Sequence, residues 1–103
     1  MRIIKPADFH GDRAWDAFDI EKISNASIRL HWTDQPYIWH VNDGPEVFVL
    51  LDGSVEMHVS DAGQERILQL SPGDIFHAEA GDKHKAVPLA PSRILVIETE
   101  GSI

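Results

Sequence analysis

The sequence predicts an all-β sandwich or barrel, on three observations. Turn signals recur at short, even intervals: Asp34-Gln35-Pro36, Asp43-Gly44-Pro45, Asp52-Gly53, Asp61-Ala62-Gly63, Ser71-Pro72-Gly73-Asp74, Gly81-Asp82 and Pro88 to Pro91. The segments between them are short and rich in Val, Ile, Leu and aromatic residues. At 103 residues, with 43% hydrophobic and 25% charged side chains, the chain is an ordinary soluble domain with enough sequence for one core.

Each segment reads as a strand: Ser27 to Trp32, Tyr37 to Val41, Val47 to Leu51, Ser54 to Val59, Arg66 to Leu70, Asp74 to Ala78 and Arg93 to Glu98. Asp52-Gly53, between Val47–Leu51 and Ser54–Val59, is the strongest hairpin signal, because a type I′ turn needs two residues tolerant of positive φ. Only Pro6 to Trp15 offers a helical turn. Residues 1–25 form an N-terminal arm and first strands, and 26–103 the barrel of a single domain.

Alternation assigns the faces. Val55, Met57 and Val59 share one side of their strand, which leaves His58 on the solvent side. His31 lies opposite Ile28, Leu30 and Trp32 and reads as a surface residue, as does His10 in the N-terminal loop. His77 and Glu79 share a face opposite Phe76 and Ala78, which turns them outward if the phenylalanine is core. Val47 to Leu51 and Ile94 to Ile97 are apolar on both faces. A sandwich this small cannot bury both, so a homodimer covering the outer face of one sheet is expected, with Trp39 a second candidate for that interface.

Charge and composition exclude several classes. Seventeen acidic against nine basic side chains give a net charge of −8, which repels a phosphate backbone and makes nucleic acid an unlikely partner. No apolar run approaches bilayer length, and Met1 to Pro6 precedes no signal-length apolar segment, so a cytoplasmic protein without membrane contact is expected. With no cysteine there is neither disulfide nor thiolate chemistry. No glycine-rich phosphate loop or dinucleotide fingerprint is present.

The chemistry concentrates in two stretches. His40 and Asn42, two apart, share one face of an extended strand, and Glu46 follows a short Asp-Gly-Pro corner. His84 lies far along the chain and joins them only by folding. Two imidazoles, a carboxylate and an amide oxygen suit a divalent iron, manganese, nickel or zinc ion. Tyr37, with its hydroxyl, His77 and Lys83 are candidate substrate contacts around such a site.

These residues resemble the two motifs of the cupin superfamily. His40-Val41-Asn42, three residues, Glu46, six residues, Gly53 follows the first motif, with Asn42 standing for its second histidine and Asp34 for its opening glycine. Gly73, five residues, Glu79-Ala80-Gly81, two residues, His84 follows the second, with Glu79 for proline and Pro88 for the final asparagine. The short segment between motifs is similar to that of small single-domain bacterial cupins grouped with mannose-6-phosphate isomerase-like proteins. The resemblance implies a jelly-roll (double-stranded β-helix) barrel with a short N-terminal arm, and a metal held by His40, Asn42, Glu46 and His84. It implies either a metal-dependent enzyme, of isomerase or dioxygenase type, acting on a small polar or aromatic molecule, or a non-catalytic module binding a small ligand such as a sugar without metal. A structural barrel with vestigial histidines is the third possibility. Fold alone does not choose among them.

Overall fold

A computed structural model describes residues 1–102. After a 3-10 turn at Pro6–Asp8 come nine strands: β1 (Asp16–Ile23), β2 (Ala26–Thr33), β3 (His40–Val41), β4 (Glu46–Asp52), β5 (Val55–Asp61), β6 (Gln64–Leu70), β7 (Ile75–Ala78), β8 (Lys83–Pro88) and β9 (Ser92–Thr99). They form a five-stranded sheet, β1-β2-β9-β4-β7, packed against a four-stranded one, β3-β8-β5-β6, with every pairing antiparallel. The all-β expectation holds. Phe48, Leu50, Val55, Met57, Leu70, Ile94 and Val96 fill the space between the sheets, each on the inward half of its strand's alternation.

Asp52-Gly53 is not a hairpin turn. β4 belongs to one sheet and β5 to the other, so the chain crosses between layers here, and only Gly53 takes positive φ, at 99°. A Cβ at Gly53 would collide with Ser92 Oγ and would lie 2.6 Å from the Pro91 carbonyl. The tight two-residue hairpin lies instead at Ala62-Gly63, φ 50° and 80°, joining β5 to β6.

Two further expectations change. The 37–41 strand contracts to His40–Val41, while Lys83–Pro88, unassigned from sequence, pairs with both β3 and β5. The helical segment shrinks to Pro6–Asp8, and the rest of the arm lies across the outer face of the larger sheet. Arg93 Nε donates to the Phe9 carbonyl at 3.0 Å, and the His10 and Trp32 rings sit 4.4 Å apart. Leu30 and Trp32 are thereby buried on that outer face, at 1% and 5% exposure.

That cover reverses the reading of β2. With Leu30 and Trp32 satisfied by the arm, the alternate residues Arg29 and His31 face inward and line a cavity, so His31 is not a surface residue. His10 is exposed, as expected. His58 is half-buried rather than free, with its Nε2 3.2 Å from a Glu56 carboxylate oxygen. No helix among the described residues is long and apolar enough to cross a membrane.

Candidate metal centre

Folding brings the two motifs together through β3 and β8, where His40 and His84 are direct register partners. Their rings lie 4.4 Å apart, inclined at 62°. Glu46 opens β4, and its buried carboxylate reaches the same point. Ligand atoms of His40, Glu46 and His84 all fall within 4.8 Å of one another. His84 Nε2 is 2.6 Å from Asn42 Oδ1 and 3.1 Å from Glu46 Oε1.

Supporting contacts orient two of the donors, His40 and Asn42. His40 Nδ1 lies 3.1 Å from the Ile38 carbonyl, the hydrogen bond that leaves Nε2 as the free lone pair. Asn42 Nδ2 donates to the Gly44 carbonyl at 3.3 Å, which turns Oδ1 inward. The Asn42 backbone is clasped to the second motif, its N–H donating to Asp82 O and its carbonyl accepting from Gly81 N–H, both at 2.8 Å. Glu46 Oε1 is buried with no hydrogen-bond partner, because its contact with His84 lies off the hydrogen-bonding direction. A buried carboxylate oxygen without a donor is costly. A cation among these groups would supply what it lacks, so the donor set fits a divalent transition metal.

A cavity of about 190 Å³ adjoins the cluster. Tyr37 lines it, its ring edge-on to His40 at 5.3 Å. His77 and Lys83 do not. They line a second cavity of about 340 Å³ that shares only His84 with the first, so the three candidate substrate contacts divide between two chambers. His77 points outward, its Nε2 3.3 Å from Glu79 Oε1. The Lys83 and Lys85 ammoniums stand 5.6 and 5.4 Å from the Trp39 ring centroid on the far side of the smaller sheet.

The lining residues of the first cavity that sequence reasoning does not point to include Trp15, Arg29, His31 and Glu98. Glu98 carried a signal, since it continues the inward series Ile94, Val96. Burial, then the charges of Glu46 and Asp43, push its carboxyl up to about 7, with Arg29 opposing. Burial, reinforced by Arg29, lowers the pKa of His31.

No family model matches the sequence, and no curated protein matches it. Solved structures do. A cupin-2 domain containing protein from Shewanella frigidimarina superposes with a TM-score of 0.77 at 21% identity, over 87% of this chain and 85% of that one. The chain has the cupin fold. Hydroquinone 1,2-dioxygenase PnpCD in complex with Fe3+ gives 0.77 at 19% identity, over 87% of this chain and 29% of that one. The Sphingomonas sp. TTNP3 hydroquinone 1,2-dioxygenase with 4-hydroxybenzoate bound gives 0.76 at 22%, over 86% and 28%. The chain thus spans under a third of either dioxygenase chain.

Proposed function

We propose that this cupin is a metal-dependent enzyme, of dioxygenase or isomerase type, acting on a small polar or aromatic molecule. The observation that carries this is the convergence of His40, Glu46 and His84, with Asn42 as fourth donor, beside an aromatic-walled cavity. A divalent ion there supplies Lewis-acid polarisation of a substrate oxygen or activation of dioxygen. The chain's own residues do the rest: His40, Glu46 and His84 hold the ion, Asn42 coordinates weakly or orients substrate, and Tyr37 borders the space where substrate sits. The Fe3+ complex of a dioxygenase with this fold favours iron among the candidates.

A second reading has its own observation. His84 Nε2 and Asn42 Oδ1 lie 2.6 Å apart, a hydrogen bond that satisfies both groups from within the protein, as expected of a pocket that binds an organic ligand, such as a sugar, through hydrogen bonds. Metal content measured by plasma mass spectrometry on tag-free protein purified without chelators separates the two. Near-stoichiometric metal that disappears in His40→Ala and His84→Ala supports the first; no metal, even after reconstitution, supports the second.

On the same reading the chain is one cytoplasmic domain, 1–103, that works as a homodimer. Val47, Val49, Leu95 and Ile97 are only half-buried on the outer face of the larger sheet. Light scattering giving a mass near 11.5 kDa would sink the dimer.

A further inference from the structure

The cavity beside the cluster has a chemistry of its own. Glu46 on β4 and Glu98 on β9 are direct register partners on the inward face, and side chains so paired start roughly 5 Å apart at Cβ. Both carboxylates line the cavity, and Asp43 adds its field to theirs. The one cationic side chain on the wall, Arg29, is already engaged, its Nε 2.6 Å from Asp19 Oδ1. The charge of Arg29 is thereby matched by Asp19 rather than left for a phosphate or carboxylate.

Much of the remaining wall is aromatic. Trp15 meets Tyr37 edge-on at 5.1 Å and His31 at 6.0 Å, while Phe48 and Val96 form the floor. Trp15 is held there against its backbone preference, at φ 57°, a region that bulky residues seldom occupy. The turn carrying it is fixed by Asp16, whose carboxylate accepts from the Asp12 and Ala17 N–H groups, both at 3.0 Å. Gly11 seals the turn, since a Cβ there would come within 2.6 Å of Asp16 Cβ. At about 190 Å³ the space is below the roughly 300 Å³ at which pockets for drug-sized molecules begin, and suits a single substituted ring.

Resting on the reading above that this cavity is the ligand site, we propose that it takes an uncharged, planar, hydroxyl-bearing ring compound and rejects anionic ligands, sugar phosphates included. Glu98 hydrogen-bonds the ligand hydroxyl and, beside Glu46, sets the charge selection. Trp15 and Tyr37 hold the ring. Glu98 is thus a specificity-determining residue, distinct from the metal ligands.

The test is calorimetric titration of the protein as purified, and again after chelation, with 4-hydroxybenzyl alcohol, 4-hydroxybenzoate and mannose 6-phosphate. The alcohol is expected to bind about tenfold or more tightly than either anion, since a like charge brought against Glu46 and Glu98 is strongly disfavoured. Glu98→Gln is expected to shrink that ratio at least severalfold, Glu98→Asp to keep it, and Trp15→Leu to weaken both ring compounds alike. Equal or tighter binding of an anion, no binding of the alcohol, or equal loss of selection in Glu98→Gln and Glu98→Asp would overturn the proposal. Selection for the alcohol in protein that never holds metal upholds it while removing the metal-dependent function; stoichiometric metal with anion preference does the reverse.

Discussion

His40 and His84, 44 positions apart in sequence, are paired across β3 and β8 with ring centroids 4.4 Å apart. The pairing of a two-residue edge strand therefore decides whether the cluster exists. Metal binding should stabilise the fold by linkage, about 2.7 kcal/mol at a hundredfold excess over Kd. A thermal melt of the wild type should rise on adding ferrous, manganous or zinc ion. His40→Ala and His84→Ala melts should stay flat under the same additions. A wild-type melt insensitive to every ion would count against the site.

Asn42 supplies a neutral amide oxygen where the cupin motif has an imidazole. Imidazole is the stronger donor to late first-row ions. Asn42→His should tighten zinc or nickel binding at least tenfold, read by competition with a chromogenic chelator. Unchanged or weaker affinity would mean that position 42 lies outside the coordination sphere.

Stability should depend on pH through two groups of opposite sign. The Glu98 carboxyl is raised from 4.5 to about 7 in the fold, so between those values the folded chain keeps a proton that the unfolded chain has released, and stability falls as pH rises. The His31 pKa is depressed below 6.5, so as pH falls through that value the unfolded chain takes up a proton first, and stability falls. Urea melts in chelator should show the stability gap between Glu98→Gln and wild type widening from pH 4.5 to 7. A gap constant with pH would refute the Glu98 assignment.

Gly53 carries the crossing between sheets at φ 99°, against Ser92 and Pro91. Gly53→Ala pays both the left-handed backbone and the collision, and should destabilise by roughly 2–4 kcal/mol. Gly63, with φ 80° and nothing within 4 Å of a Cβ, pays only the first. Gly63→Ala should therefore cost about 1 kcal/mol, and equal midpoints for the two variants in urea would contradict the packing described at Gly53.

The legible part of the site was the part written as local spacing. His40, Asn42 and Glu46 sit within seven residues, and period-2 geometry places the first two on one face without tertiary information. β8 was missed although it carries His84, because Lys83, Lys85 and Pro88 make its outer face and end read as loop, while its inward face holds an imidazole and an alanine. His31 was assigned to solvent because alternation shows which residues share a face but not which face is covered. Asp52-Gly53 has the composition of a hairpin turn, and composition cannot distinguish a turn within a sheet from a passage between two.

The sequence by itself determined the β class, most strand positions, the motif that assembles the donors, and an acidic balance that disfavours nucleic acid, because each of these rests on neighbours in the chain or on summed composition. Tertiary structure decided the rest. The arm lying on Leu30 and Trp32 turned Arg29 and His31 into the cavity, and β4–β9 register set Glu98 opposite Glu46. Pairing of β3 with β8 set His84 beside His40. The physical reason is common to all three: burial and strand register depend on what covers a face and on which strand lies alongside, and neither partner is adjacent in sequence.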